Sequence, residues 1–293
     1  MSWLIYAAIP AFLVTIAIEV LWARRAGPGI RGYEARDTWT SLTLGVGNVI
    51  LSSITKIGIV ALWSALYERR WLDLPVTPAT WLALFVAEDL CYYAFHRAHH
   101  EIRALWAAHV NHHSSTRYNL STALRQSWTT PITGVPFWLV LPLIGFPPAM
   151  ILTQQAVSLL YQYWLHTEAI GRMPGWFEAV FNTPSHHRVH HGRNARYLDR
   201  NHAGILIVWD RLFGTYEPEV ERPDYGLTTN LTTHHPVRVA FHEWAAMFRD
   251  LRTARSAREV IGFAFGPPGW RPDGSGETAA ALRQSAVRRD VSS

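Results

Sequence analysis

Apolar residues run almost unbroken from Trp3 to Trp22, and the run closes on Arg24 and Arg25. An α-helix needs roughly 20 such residues to cross a hydrocarbon layer, so a first membrane span is predicted over about 3–23. No stretch reads as a cleavable secretory signal. Glu19, near the end of the span, reads as a snorkelling or interhelical carboxylate rather than a catalytic one. A polar loop over 24–40 leads to a second span over about 41–67. Its Gly45, Gly47, Ser52 and Ser53 would let a neighbouring helix come close. After a loop from Glu68 to Pro78, a third span starts near Thr80 and runs without a break into a group of histidines. Residues 131–165 are apolar again, interrupted by Pro131, Pro136, Pro142, Pro147 and Pro148. With a break at Gly145-Phe146-Pro147-Pro148, they read as a hairpin of two spans. Beyond His191 the chain turns polar, apart from a short apolar run from Gly204 to Trp209. Val239, Phe241, Trp244, Met247, Phe248 and Leu251 predict an amphipathic helix within 236–260, packed on the domain or on the membrane surface. Past Gly262, Pro, Gly and Ser accumulate and the end reads as disordered. The pattern predicts an all-α integral membrane bundle of about four or five spans. One domain covers 1–262 and a disordered tail covers 263–293.

Composition agrees with this class: 49% of residues are hydrophobic and only 17% charged. The net charge of +5 is carried almost wholly by Arg, Lys56 being the sole Lys. No basic stripe with interleaved aromatics accompanies it, which argues against nucleic acid as a partner. Cys91 stands alone and excludes an internal disulfide. Charge also orients the chain. Loop 24–40 holds Arg24, Arg25, Arg31 and Arg36, whereas 68–79 holds Arg69 and Arg70, which places the first loop in the cytoplasm. Three crossings then bring His96 out on the cytoplasmic face, and the hairpin returns the chain to that face. His166–His191 therefore shares a compartment with His96–His113. In a bacterium that is the cytoplasmic face of the inner membrane.

All of the 15 histidines except His234, His235 and His242 lie between positions 96 and 202. Three sets have ligand spacing: His96 and His100; His109, His112 and His113; His187, His190 and His191. Offsets of three and four stack side chains on one helical face. So many imidazoles crowded together without a cation would leave desolvated nitrogens unpaired, so the set predicts bound metal. A closed structural zinc site takes four ligands, often cysteines, and does not suit so many histidines. Carboxylate-bridged di-iron bundles carry a Glu-x-x-His pattern that is missing here. Two first-row transition ions in one pocket remain; iron follows from the chemistry, while the spacing would also accept zinc.

The segments HisArgAlaHisHisGlu (96–101), HisValAsnHisHisSerSer (109–115) and HisHisArgValHisHisGlyArgAsn (186–194) resemble the fatty acid hydroxylase / sterol desaturase superfamily of membrane oxygenases. Within it, TyrAsnLeuSerThrAlaLeuArgGln (118–126), TyrGlnTyrTrpLeuHisThrGlu (161–168), AsnThrProSer (182–185) and TrpAspArgLeuPheGlyThrTyr (209–216) resemble the alkylglycerol monooxygenases and their bacterial relatives. The resemblance covers roughly 10–220. It implies two Fe ions that activate O2 to hydroxylate or desaturate a C–H bond of a membrane lipid. The ether-lipid branch, a sterol desaturase-like activity and a fatty acid hydroxylase activity are the open alternatives. No haem or ferredoxin segment is seen, so a separate electron donor is expected, either a redox protein or tetrahydrobiopterin.

Roles follow with alternatives beside them. Asp89 precedes His96 by two helical turns and could hold the outer nitrogen of a ligand imidazole, or form a helix–helix hydrogen bond. The resemblance implies that Glu101 matters for activity; by spacing alone it is a solvated charge at a helix end. His166 resembles a further ligand, and Gln162 stands where some hydroxylases have His. His99 and His186 lie beside ligands but off their face. His202 is a weak ligand candidate, and His234, His235 and His242 are surface or packing residues. Trp106, Tyr118, Asn119 and Arg125 are candidates for lining a substrate channel, with plain packing as the alternative. Two other classes compete. A zinc hydrolase needs a general-base Glu enclosed by its histidine pair, which is absent. A metal transporter places ligands at mid-membrane, whereas these histidines follow the ends of spans.

Overall fold

The computed structural model describes residues 3–27 and 29–292. Met1 and Ser2 of the first segment, Pro28 of the first loop and Ser293 of the tail lie outside the described residues. Among those described, regular structure is helical, with only two isolated bridges, Phe181–Leu206 and Gly192–Tyr225.

Helix α1 (Trp3–Arg25) ends on two arginines that complement its dipole. Helix α2 (Ala35–Tyr67) is capped by Glu34, whose carboxylate accepts from the Arg36 and Asp37 amides at 3.1 and 2.9 Å. These two are long and apolar enough to cross a membrane, and only 6% of the most apolar window of each is buried. That exposure excludes the core helix of a soluble protein, which passes the same length test while covered. At 33 residues α2 is about 50 Å long, well beyond the ~30 Å of a hydrocarbon core. The surplus is its first turns: Asp37, Thr40, Ser41 and Leu44 are covered by protein, while Ile50, Ile54 and Ile57 are bare.

Helix α3 (Pro78–Glu101) starts with Pro78 and a Thr77 cap and delivers His96, His99 and His100 in its last turns. Short helices α4 (Arg103–Trp106) and α5 (Val110–His113) follow. The 131–165 hairpin departs from expectation. Its turn falls at Gly145, where φ is +126° and a Cβ would strike the Leu72 carbonyl. Its first limb, however, is α6 (Thr130–Thr133), a 3-10 turn over Val135–Trp138, and α7 (Val140–Ile144). Pro131, Pro136 and Pro142 remove the amides a continuous helix would need. The return limb α8 (Pro148–Tyr163) has 16 residues, about 24 Å. Trp63, Leu84, Phe95, Trp138, Met150 and Ile151 form the core that joins these limbs to α2 and α3.

The molecule has two distinct ends. Trp71 donates to the Leu143 carbonyl at 2.7 Å, so loop 68–77 and the hairpin turn share one. At the other, Asn119 donates to the Gly32 carbonyl at 2.8 Å and the Arg31 amide to Glu168 at 2.8 Å. Around that end lie α9 (Gly175–Val180), α10 (Pro184–His190) and α11 (Val208–Phe213). The predicted 236–260 helix is two helices, α12 (Pro236–Leu251) and α13 (Ala257–Phe265), the second capped by Ser256. Val239 and Ala240 pack on Leu44 at the start of α2. Within the tail expected to be disordered, Ala279–Ser292 forms α14. Three alanines in a row are strong helix formers, and Arg283 ties the helix down by donating to the Leu198 carbonyl at 2.6 Å.

Candidate metal centre

Four chain segments meet at the second end, each placing imidazoles at a helix terminus. The last turn of α3 sets His96 and His100 one turn apart, with ring centroids 5.3 Å apart. His109 precedes α5, and His112 and His113 lie within it. His166 follows α8, and α10, opened by Pro184, carries His187 and His190 with His191 as its cap. Two buried groups result. One is His96, His100, His109, His113 and His190; the other is His112, His166, His187 and His191. Within each, one ring nitrogen from every residue lies within 4.8 Å of all the others. All nine candidate ligands are thus gathered.

Hydrogen bonding fixes which nitrogens face inward. His96 Nδ1 donates to the His202 carbonyl at 2.8 Å, His166 Nδ1 to the Gln162 carbonyl at 2.9 Å and His190 Nδ1 to the Arg200 carbonyl at 2.9 Å. His112 Nδ1 reaches the Arg125 carbonyl at 3.3 Å. A neutral ring that donates through Nδ1 presents a bare lone pair at Nε2. Yet His112 and His166 face each other Nε2 to Nε2 at 3.2 Å, and His187 Nε2 lies 3.0 Å from that of His166. In the other group His109 Nε2 lies 3.1 Å from the Nε2 atoms of both His96 and His113. The inward Nε2 atoms of His100, His190 and His191 have no partner at all. Facing lone pairs repel unless a cation lies between them. Imidazoles on one ion, with bonds of about 2.1 Å, put their nitrogens about 3.0–3.4 Å apart. The donor sets therefore fit one metal ion each. Burial, followed by the neighbouring imidazoles, holds His109, His113, His187, His190 and His191 well below the usual imidazole value. Burial brings His166 down to about 4, so the rings are neutral, as ligands must be.

Other candidates land differently. Asp89 touches no imidazole; its carboxylate accepts from the Ile205 amide, the Leu206 amide and Trp209 Nε1 at 2.8, 3.0 and 2.9 Å. Glu101 lies outside the pocket, paired with Arg97 at 2.8 Å along an open groove of about 330 Å³ between α3 and Phe213. The single residue step from His100 to Glu101 rotates it about 100° away from the imidazole face. Asn119 and Arg125 are tied into the surrounding backbone. Asn119 braces its own loop and Gly32, and the buried Arg125 pairs with Asp37 at 3.2 Å and donates to the Asn111 carbonyl at 3.0 Å. Trp106 and Tyr118 lie against the histidine groups. Trp106 lies 5.0 Å from His100 and 5.6 Å from His113, and Tyr118 lies 5.2 Å from His191. Glu19 is buried and accepts from Tyr33, Thr167 and the Leu120 amide, an inter-element role as expected. Gln162 contributes its carbonyl to His166, while its amide donates to Ser158.

His99 is satisfied away from the groups by the Phe95 carbonyl and Thr133. His186 faces Tyr216. His202 is fully buried with its ring 5.0 Å from that of His100, nearer than expected. His234 and His235 are exposed, and His242 packs on α12. Sequence reasoning missed the acceptors around the site, because a backbone carbonyl has no side-chain signature. It also missed Tyr225, stacked on Tyr118 at 4.7 Å, and Asp210, whose carboxylate accepts the His202 and Ala203 amides at 2.8 Å.

Residues 81–215, which contain all nine grouped histidines, match the family model for fatty acid hydroxylase. The chain is 39% identical over 272 residues to alkylglycerol monooxygenase of Homo sapiens, an alignment covering 90% of this chain and 59% of that protein. It is 38% identical over 272 residues to alkylglycerol monooxygenase of Danio rerio, with the same coverage. It is 27% identical over 235 residues to ornithine lipid hydroxylase OlsE of Rhizobium tropici, covering 74% of this chain and 70% of that one. The chain thus spans about three fifths of the length of these alkylglycerol monooxygenases. No solved structure matches it.

Proposed function

Since the chain carries a fatty acid hydroxylase domain over 81–215, we propose that it is a membrane oxygenase that uses O2 and two iron ions to hydroxylate a C–H bond of a lipid. The carbon beside the ether oxygen of an alkylglycerol is the leading target, on the likeness to the alkylglycerol monooxygenases. The observation that carries the reading is the pair of buried histidine groups whose Nε2 atoms converge at 3.0–3.2 Å, with the lone pairs of His112 and His166 facing each other. The five- and four-histidine groups would each hold one ion. Iron bound there would supply the activation of dioxygen that attack on an unactivated C–H bond requires.

The chain's own part is to position and to exclude. Nine imidazole ligands, with no carboxylate among them, would leave the full positive charge on the ions. Trp106 and Tyr118 lie against the histidine groups, with Tyr225 stacked on Tyr118, and their apolar ring surfaces would keep bulk water from the reacting carbon. Helices α1 and α2, with α3 and the α6–α8 hairpin, would set this pocket at the membrane surface where a lipid presents its head. The arginine-rich first loop favours the cytoplasmic side of a bacterial inner membrane for that surface. Hydroxylation beside an ether oxygen gives a hemiacetal, which separates into an aldehyde and a glycerol derivative. Reducing equivalents would come from tetrahydrobiopterin or a redox protein.

A zinc hydrolase is disfavoured by the carboxylates. Among the described residues, the one within ion-pair distance of a grouped histidine is Asp199, on the outer nitrogen of His100. The test is turnover of alkylglycerol by the purified, iron-loaded protein with labelled dioxygen and a pterin or protein reductant. Label in the aldehyde-forming product and about two irons per chain are expected. Oxygen-independent release of product by a zinc-loaded sample would overturn the reading. A free fatty acid or an ornithine lipid turned over in place of the ether lipid would move the substrate while keeping the chemistry.

A further inference from the structure

The chain from Asp199 to His202 carries three of the five outer bonds available to the larger histidine group. The His202 carbonyl accepts from His96 Nδ1 at 2.8 Å, the Arg200 carbonyl from His190 Nδ1 at 2.9 Å, and Asp199 Oδ1 lies 3.4 Å from His100 Nδ1. Outer partners of this kind orient the ring and raise its basicity toward a metal. The four-histidine group draws nothing from this segment: His166 bonds the carbonyl of its own helix, and His112 bonds Arg125.

The segment is built to hold an unusual shape. Asp199 and Asn201, with φ of 52° and 56°, are the non-glycine residues at positive φ among those described. The two left-handed residues flank Arg200, and the alternate carbonyls of Arg200 and His202 both reach the histidine wall. Neighbours pin that shape. Asn201 donates to the Glu217 carbonyl at 2.8 Å and accepts the Glu217 amide at 2.9 Å, and Asp210 takes the next two amides. On its outer side the segment meets α14, where Arg283 donates to the Leu198 carbonyl at 2.6 Å and lies 4.0 Å from Asp199 Oδ2.

We propose that Asp199, steadied by Arg283 of the C-terminal helix, is a positioning residue for His100, and that segment 199–202 tunes the five-histidine metal site without acting on the four-histidine site. The proposal rests on reading the two groups as metal sites. It makes α14, which lies beyond the 81–215 match, part of the support for the metal centre.

The experiment uses the full chain in detergent, stripped of metal and titrated with Co2+ as a spectroscopic probe against a competing chelator. Asp199→Asn and Asp199→Gly both tolerate positive φ, so they remove the charge, or the whole side chain, without adding backbone strain. In both, one Co2+ equivalent should bind as in wild type while the other binds about 10–100-fold more weakly, with a shifted ligand-field spectrum. The Gly variant should be the weaker binder, since the Asn oxygen still accepts. Arg283→Gln, on a partly exposed helix, should weaken the same equivalent by a smaller factor and leave the metal-free melting temperature unchanged. Equal weakening of both equivalents, or no change in either, overturns the proposal. A wild-type chain that binds no Co2+ overturns the metal-centre reading beneath it.

Discussion

Adjacent histidines part company at this site. His112 and His113 are neighbours in sequence but belong to different groups, as do His190 and His191. Successive residues on a helix point about 100° apart, so an HH pair at the end of a short helix can serve two centres at once. The i, i+3, i+4 spacing made eight of the histidines legible, and the family resemblance added His166. Their division did not show, because it depends on how α3, α5 and α10 meet. The outer carbonyls were invisible for a plainer reason: Gln162, Arg200 and His202 serve through their backbone. Asp89 shows the limit most clearly. Its spacing from His96 allowed a bond to the outer nitrogen of a ligand ring or a helix–helix hydrogen bond, and its carboxylate grips the amides of 205 and 206. His100→Ala, His112→Ala and His190→Ala should each lose at least one bound iron per chain and reduce turnover by more than ~100-fold, since direct ligands should outweigh outer partners. Metal analysis beside activity checks this, with His234→Ala, an exposed residue, expected to match wild type. Asp89→Asn leaves three buried donors competing for one oxygen. It should cost about 1–3 kcal/mol of stability and weaken metal binding less than any ligand change. Glu101→Gln divides the resemblance from the geometry. With its carboxylate outside the pocket, iron content should stay intact and turnover should fall by less than ~10-fold. Loss of iron in this variant would show that the carboxylate reaches the pocket in the working enzyme.

Among the elements, α2 was the most readable and still held a surprise. Its small residues do admit close neighbours: Gly45 and Gly47 take the 122–128 segment, and Ser53 meets Tyr6 of α1 at 3.2 Å. A Cβ on Gly45 would lie 2.6 Å from the Leu124 carbonyl, and one on Gly47 would overlap the Trp128 indole. Trp128 in turn donates to the Leu44 carbonyl at 3.0 Å, fixing the loop that leads from Arg125. A methyl group at Gly47 therefore has to displace a wedged ring. Gly47→Ala should lower stability by about 1–3 kcal/mol, seen as a lower melting temperature in detergent. Much of that loss should be absent when Gly47→Ala is made in a Trp128→Ala background. Additive effects of the two changes would mean the contact does not govern stability. The proline-rich limb was misjudged because hydropathy ignores the missing amides of Pro131, Pro136 and Pro142. Helix α14 was missed because the Gly and Pro content just before it outweighed the alanines at its start.

At the scale of the whole molecule, the question is whether both histidine-bearing halves lie on one side of the membrane. Counting arginines and crossings suggested that they do, and the contacts add a physical reason. Arg117 donates to the Arg31 carbonyl at 2.6 Å, Asn119 to that of Gly32, and Arg31 pairs with Asp224 at 2.8 Å. Loop 24–34 is thus bonded to the segment after His113 and to the one after His191, and none of these bonds can form across a bilayer. The opposite end is fixed by the Trp71–Leu143 bond. This holds even though the α6–α7 limb is too short and broken to count as a helical span, so the one-sided site no longer depends on the number of crossings. Single cysteines placed in a Cys91→Ser chain test it. Arg25→Cys and Thr116→Cys, both exposed, should react with a membrane-impermeant maleimide only after the cytoplasmic face is opened. Asp73→Cys should react in intact cells. Labelling of all three from the outside would mean that α2 does not cross. Labelling of Arg25→Cys and Thr116→Cys from opposite faces would break the hydrogen bonds that close the site, and with them the case for one shared metal pocket.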